Sequence, residues 1–294
     1  MFDISELIES ARVTVDALLQ QSMTREGIQW QKVATPIDSM HSIYKMNWVG
    51  GSPIMKKFKG EVDVAPVYPH DYTINIEEYA VAVGVKLRTL RTQGLVDFSL
   101  VVRNMTDAVT GFYDKLVMEA FSDGFTDLCF DGKAFYSAIH SWGKSGTHNN
   151  VATGVLNETN FITARKTIQT AKDDQGEPMG KIVTALVFGP DNWATAKKLF
   201  SVQILPGGGD NILYNAVEPV ESSRLKTGPE WHVLATGGAT KPVVLAEQLA
   251  AMTSDDIGGQ SDFWNHAVHF QVQAEVSPGY GMFPDAYGST GVGP

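Results

Sequence analysis

Apolar residues recur at helical spacing between positions 98 and 120, and they keep to one face throughout. Glycines bracket the segment, with Gly94 before it and Gly124 after it. A helix of roughly 27 residues would be about 40 Å long at 1.5 Å per residue. Such a rod is unusual in a small enzyme and suits a subunit with an elongated body. The apolar face consists of Phe98, Val101, Val102, Met105, Val109, Phe112, Leu116, Val117 and Ala120.

The N-terminal segment predicts a second amphipathic helix whose single apolar stripe needs another surface to cover it. After it, residues 36–93 contain prolines, glycines and β-rich runs at Val62–Val67 and Tyr72–Val85. These runs predict a long two-stranded arm, which is marginal in water unless it packs on a neighbouring molecule. The N-terminal stripe consists of Ile4, Leu7, Ile8, Ala11, Val15, Leu18 and Leu19.

The C-terminal half alternates short helices and strands. Residues 160–172 predict a helix, and Ile182–Phe188 predicts a buried strand that ends at Gly189-Pro190. Further strands are expected around Trp231–Ala235 and Pro242–Gln248. Near the C-terminus, apolar and polar residues alternate from 268 to 276, which is typical of a half-exposed strand.

Composition narrows the possible functions of the 294 residues. The net charge of −10 argues against a protein that neutralises phosphates, because nucleic-acid binders normally carry a basic stripe. The clearest basic cluster, Lys56, Lys57, Phe58 and Lys59, is short and typical of a solvated loop. Only 19% of the residues are charged and 28 are glycine, which indicates many turns and surface buried in an assembly.

The single cysteine, Cys129, excludes an internal disulfide and indicates no cysteine pair for a metal. The N-terminus lacks the basic and apolar regions of a signal peptide, and no stretch is apolar enough to span a bilayer. We therefore expect a protein made in the cytoplasm, with no cofactor and no membrane partner.

One enzymatic interpretation is a penicillin-recognising serine acyl enzyme. Ser42 and Lys45 match S-x-x-K, Lys226-Thr227-Gly228 matches K-T-G, and Ser122-Asp123-Gly124 is close to S-D-N. The mechanism needs the serine at a helix start, with the lysine one turn further on. Ser42 instead lies in a β-rich region that is soon followed by Gly50-Gly51 and Pro53, and Ser122-Asp123 ends the predicted long helix. Coincidence is therefore the favoured explanation.

Other motifs are incomplete. Gly143-Lys144-Ser145 lacks the glycine that a phosphate loop requires five positions earlier. His266 and His269 lie three apart on a predicted strand and face opposite sides, so no metal site is predicted.

Residues 131–142, directly after the long helix, combine a turn, an aromatic pair and a histidine. Asp131-Gly132 predicts the turn, and Phe135-Tyr136 supplies the aromatic pair. His140 could serve as a catalytic base, but that role requires a carboxylate and a nucleophile that the sequence cannot place. Alternatively, the aromatic residues anchor the segment and His140 closes a turn.

The order of these features resembles the major head subunit family of Mu-like bacteriophages. In that family a D-G-x-x-F/L-x-S/T-x-x-H segment follows a long helix, and Asp131, Gly132, Phe135 and His140 match it. The break at 174–179, the strand closing on Pro190, and the terminal Tyr287-Gly-Ser also agree.

The resemblance implies an α+β fold of the Hong Kong 97 capsid type, with one long "spine" helix. Five segments follow from it: an N-terminal arm at 1–35, an E-loop at 36–93, the first part of a peripheral (P) domain at 94–180, an axial (A) domain at 181–261, and a P-domain return strand at 262–294.

The resemblance also implies a non-enzymatic function. The chain would be a major capsid protein that forms hexamers and pentamers of an icosahedral shell around double-stranded DNA, without sequence-specific binding. It would be assembled in the host cytoplasm and located in the virion. A non-viral nanocompartment of the same fold is the related alternative.

The expected partners are further copies of the chain, a portal and a scaffolding protein, and a decoration protein is left open. Since the chain begins almost directly at the arm, without a long acidic extension, the scaffolding protein is expected to be separate. The candidate contact residues between subunits lie in the E-loop tip and in an A-domain loop: Gly50, Gly51, Lys56, Lys57, Phe58, Lys59, Pro206, Gly207, Gly208, Gly209 and Asp210.

Overall fold

The computed structural model describes residues 4–24, 28–50, 68–86, 88, 95–204, 209–256 and 267–293. The helices are α1 (Ile4–Met23), α2 (Trp30–Val33), α3 (Leu95–Asp123), α4 (Glu158–Gln169) and α5 (Trp193–Phe200). The strands are β1 (Ala34–Asp38), β2 (Ile43–Gly50), β3 (Tyr68–Asn75), β4 (Glu77–Lys86), β5 (His140–Ser141), β6 (Thr147–His148), β7 (Val151–Ala152), β8 (Ala185–Phe188), β9 (Glu218–Glu221), β10 (Trp231–Leu234), β11 (Val243–Asp256), β12 (Ala267–Tyr280) and β13 (Ala286–Ser289).

The predicted long helix is confirmed as α3, which has 29 residues and is about 44 Å long. Its buried face includes Met105, Tyr113 and Phe121, as the helical spacing of the apolar residues requires. Val101 differs from the prediction, since 42% of it is exposed. At this end of the helix the buried stripe runs through Val102 instead.

The first sheet covers the buried face of α3. Its strand order is β1-β11-β12-β4, with β11, β12 and β4 antiparallel in turn and β1 parallel to β11. The alternation predicted for 268–276 is confirmed in β12, where Phe270, Val272 and Val276 are buried in the same core as α3.

The N-terminal helix prediction is confirmed by α1, which packs on α3 through Val15 and Leu19. The contact includes a polar link, because the Ser22 hydroxyl lies 2.6 Å from that of Thr110 and donates to the Thr106 carbonyl. At Val15 and Leu19, the apolar stripe of α1 is therefore covered by a helix of the same chain.

The second strand predicted for the arm does not continue as one strand through residue 85. β2 and β3 pair antiparallel from Ile43↔Asn75 to Gly50↔Tyr68. After Ile76 the chain continues as β4, which pairs with β12 in the first sheet. In β4, the Tyr79 ring packs 4.6 Å from Phe112 of α3. The expected run Val62–Val67 lies outside the described residues.

A second sheet has the order β7-β13-β10-β8-β9 and its own core. Helices α4 and α5 pack there, with Phe161 and Phe200 at a ring distance of 4.8 Å. The predicted helix at 160–172 and the strand within 182–188 are confirmed as α4 and β8. None of the described helices has both the length and the apolar character needed to cross a bilayer.

His232 of β10 lies where the two cores meet. Its ring stacks on Tyr136 at 5.2 Å and lies 5.5 Å from Phe121 of α3. The side chain is fully buried, and neither ring nitrogen has a hydrogen-bond partner within the described part of the chain. Burial lowers the pKa of His232 to about 3, so the folded protein holds the ring neutral near pH 7.

Acid should therefore destabilise the fold through His232. The unfolded chain binds a proton at this residue below about pH 6.5, whereas the folded chain does so only near pH 3. The contribution of the neutral ring is complete above about pH 6.5 and falls by about 1.4 kcal/mol per pH unit as the pH is lowered. We expect His232→Phe to remove this part of the acid sensitivity of the unfolding free energy, measured by urea titration at pH 7, 6, 5 and 4.

The exposed His41 provides the matched control, because His41→Phe should retain the acid sensitivity of the original chain. Equal pH slopes for the His232 and His41 variants would contradict the assignment.

Candidate functional site

The turn after α3 is a tight hairpin over residues 129–133. The Cys129 N–H donates to the Lys133 carbonyl at 2.8 Å, and Leu128 pairs with Ala134. Gly132 has a φ of 71°, a conformation that favours glycine. The turn predicted from Asp131-Gly132 is present.

The Asp131 carboxylate faces His140 across this turn. Asp131 Oδ2 lies 2.7 Å from His140 Nδ1, and the His140 ring is completely buried. On the other side of the ring, Nε2 lies 3.2 Å from the Phe135 carbonyl oxygen. Since both neighbours are acceptors, only a doubly protonated imidazole donates to each of them.

Burial and hydrogen bonding act in opposite directions on the pKa of Asp131. Burial acts to raise its pKa, but hydrogen bonds from His140, from the Cys129 thiol and from the Lys133 N–H favour the carboxylate. The net effect is a lowered pKa, so Asp131 stays charged. Burial and the hydrogen bond to Asp131 raise the pKa of Cys129, whose Sγ lies 3.1 Å from Oδ1.

These side chains form a compact donor set. One ligand atom each from Cys129, Asp131 and His140 lies within 4.8 Å of the others, and all three residues are buried or half-buried. Sequence spacing did not reveal this cluster, because positions 129, 131 and 140 match no metal motif. The available signal was the predicted Asp-Gly turn, which brings a cysteine and an aspartate together.

Phe283 and Asn150 hold the site in place. Phe283 stacks on the His140 ring at 3.9 Å with an interplanar angle of 1°. The Asn150 amide donates to the carbonyls of Phe135 and Phe283 and accepts from the Ser137 N–H. Sequence reasoning missed Asn150, because an asparagine in a polar loop carries no sign that it will be fully buried.

The arrangement does not suit His140 as a catalytic base. A base needs a ring nitrogen free to take a proton from a nucleophile. Both nitrogens of His140 are engaged, one with Asp131 and one with the Phe135 carbonyl. The observed geometry instead ties β5 to the turn after α3.

The acyl-enzyme residues are only partly brought together. Ser122, near the C-terminus of α3, donates to Glu230 at 2.5 Å and accepts from the Lys226 N–H. The Lys226 ammonium, however, pairs with Asp123. Ser42 lies in the bend before β2, and Lys45 lies in β2 opposite Thr73, so these two residues are not one helical turn apart.

The remaining motifs are the incomplete phosphate loop and the histidine pair. Gly143–Ser145 forms a short 3₁₀ helix in which the Lys144 N–H and the Ser145 hydroxyl bond to carbonyls of Asp174 and Asp173. His269 lies in β12, and His266 lies outside the described residues.

The candidate contact residues fall mostly outside the described residues. Gly50 ends β2, whereas Gly51, Lys56, Lys57, Phe58, Lys59 and Pro206–Gly208 are not described. In the second candidate loop, Asp210 forms an isolated β-bridge with Ile204, and Gly209 directly precedes Asp210. The Asn211 amide closes the loop by donating to the carbonyls of Leu199 and Val202.

Comparison with known proteins places these features in a family. The family model described as Mu-like prophage major head subunit gpT matches residues 8–155 and 151–225. The Mu-like prophage FluMu major head subunit of Haemophilus influenzae is 20% identical over 160 residues, which cover 54% of this chain and 52% of the relative. The major capsid protein of Escherichia phage Mu is 24% identical over 112 residues, covering 38% of this chain and 37% of the relative. The matched regions thus span about half or less of these curated relatives.

The fold extends the likeness over almost the whole chain. The procapsid of bacteriophage JBD30 matches with a TM-score of 0.60 at 17% identity, covering 97% of this chain and 75% of that chain. The architecture is therefore the Hong Kong 97-type capsid fold that the resemblance implied. With the family model matched from residue 8 to residue 225, the chain belongs to the family of Mu-like prophage major head subunits.

Proposed function

We propose that this chain is a major capsid protein, which assembles into the icosahedral head shell around phage double-stranded DNA. The match of the family model over residues 8–225 carries the proposal. The capsid fold alone would also suit a non-viral shell, and the family match is what favours a phage head. The shell would form in the host cytoplasm and remain part of the virion.

The domain limits form part of the proposal. Residues 1–35 serve as the arm, 36–93 as the E-loop, 94–180 with 262–294 as the P domain, and 181–261 as the A domain. Three strands cross the limits between the P and A domains: β11 of the A-domain range lies in the first sheet, whereas β7 and β13 of the P-domain ranges lie in the second with β8 and β10. The P and A domains would therefore exchange strands.

The charge of the chain supports packaging without sequence-specific binding. With a net charge of −10, the chain as a whole does not attract the negatively charged phosphates of the genome. DNA entering such a shell can slide past an inner wall that does not bind it tightly. A portal and a separate scaffolding protein would complete the assembly.

Exposed apolar side chains support the A-domain loop as a contact between copies. Three large apolar side chains near residues 205–208 are exposed: Ile204 by 61%, Ile212 by 77% and Tyr214 by 41%. Contact with a second copy would remove these side chains from water, and this burial would stabilise the contact by about 25 cal/mol per Å² of apolar surface. Loop 206–210 and the E-loop tip at 50–59 are the contacts that we propose.

Electron microscopy tests the proposed function directly. The purified full-length chain should form closed shells at high concentration, alone or with a scaffolding protein co-expressed from the same phage. Compact monomers under both conditions would contradict the capsid proposal. A fluorescent penicillin should leave the chain unlabelled, and covalent labelling would restore the acyl-enzyme alternative.

Charge at the exposed Ile212 should block assembly without unfolding the subunit. We expect Ile212→Asp to lower the yield of shells at least tenfold, because a carboxylate cannot be buried unpaired in an apolar contact. Ile182, which is 69% exposed and lies outside loop 206–210, provides the control variant Ile182→Asp. Equal shell yields for the two variants would remove this loop from the contacts.

Loss of His140 should lower the stability of the subunit or of the assembled particle, and it should not affect any catalytic turnover. His140→Ala leaves the Asp131 carboxylate without its buried partner and removes the stacking on Phe283, at a cost of about 3 kcal/mol or more. The reduction should be visible in urea unfolding of the subunit and in the thermal transition of the shells. His41→Ala is the exposed control, and a His140 variant with unchanged stability and normal assembly would contradict the role.

A further inference from the structure

The donor set after α3 has the chemistry of a zinc site. It offers a thiol, a carboxylate and an imidazole, and zinc accepts sulfur, oxygen and nitrogen ligands together. Calcium and magnesium prefer oxygen alone, so the thiol selects against them. The set comes from two elements, with Cys129 and Asp131 on the turn and His140 on β5.

The donor atoms lie close enough together for one small cation. Ligand atoms of a tetrahedral zinc lie about 3.5 Å apart, given bond lengths of about 2.0–2.3 Å. The thiol, carboxylate and imidazole donor atoms lie within 4.8 Å of one another. Asp131 now forms hydrogen bonds of 3.1 Å to the Cys129 Sγ and 2.7 Å to the His140 Nδ1. A zinc ion would replace these two hydrogen bonds after small shifts of the side chains.

The surrounding hydrogen bonds hold these ligands in orientation. His140 Nε2 lies against the Phe135 carbonyl, which leaves Nδ1 facing the other ligands. The Lys133 N–H donates to Asp131 Oδ1 at 3.0 Å. Metal-binding histidines and carboxylates usually carry such outer hydrogen bonds, which set the tautomer and the ring orientation.

Charge balance also permits zinc binding. With Zn²⁺ bound, a neutral imidazole, a carboxylate and a thiolate sum to zero charge, so the occupied site buries no uncompensated charge.

We propose that Cys129, Asp131 and His140 form a zinc site that closes the turn after α3. The site depends on the folded subunit and not on the proposed shell function. Its role is to fasten β5 to the turn, in place of the hydrogen-bonded pair of Asp131 and His140.

Metal titration of the untagged full-length chain, after removal of metal with a chelator, tests the proposal. We expect a single zinc ion per chain to bind with release of protons, because zinc requires a deprotonated thiol, and calorimetry in buffers of different ionisation enthalpy measures this release. Cobalt should give a thiolate-to-metal charge-transfer band. Cys129→Ser should abolish the band, and Asp131→Asn should weaken zinc binding by about tenfold to hundredfold.

Asp173 provides the matched control. It is a buried aspartate that accepts from the N–H groups of Gln175 and Glu177 in a glycine turn. Asp173→Asn should therefore bind zinc and cobalt as the original chain does. If a Cys129 or Asp131 variant fails to fold, the cobalt spectrum of the original chain decides, because only a thiolate ligand produces the band. Absence of the band in the original chain, or equal zinc affinity in all variants, would overturn the proposal and leave a hydrogen-bonded ion pair.

Discussion

Burial of one face of α3 is the constraint on which the rest of the subunit depends. A single helix of 29 residues exposes an apolar stripe that no short element can cover. From Val102 to Phe121 the stripe is covered by α1 and by the long strands of the first sheet. The 14-residue strands β11 and β12 follow from this demand, because each must run beside an equally elongated helix.

The C-terminal end of α3 joins the two cores. Ser122 bonds to Glu230, Phe121 lies against His232, and the Tyr280 hydroxyl donates to the Ala120 carbonyl. The turn at 129–133 follows at once, and Phe135 stacks on Tyr280 of β12 at 4.7 Å. A displacement of the helix end would thus disturb both sheets together.

Asp131 and His140 gain their structural role from this position. Asp131 and His140 are nine residues apart in sequence, and their pairing fastens a short strand to the turn. Phe283, from the other end of the chain, closes the site by stacking on the His140 ring. The same pair that resembles part of a catalytic centre therefore connects three distant segments, and its ring nitrogens are engaged in doing so.

The sequence by itself determined helices α1, α3 and α4, the alternation of β12 and the Asp-Gly turn, because periodicity and turn chemistry are local properties. The order of these features along the chain indicated the family by resemblance. Only the tertiary structure decided which strands pair. The sequence predicts β3 and β4 as one continuous strand, but β3 pairs with β2, whereas β4 pairs with β12 in the first sheet and packs on α3 through Tyr79. Likewise, the burial of Asn150 and the meeting of Cys129, Asp131 and His140 depend on contacts between separate segments, for which single-chain spacing carries no signal.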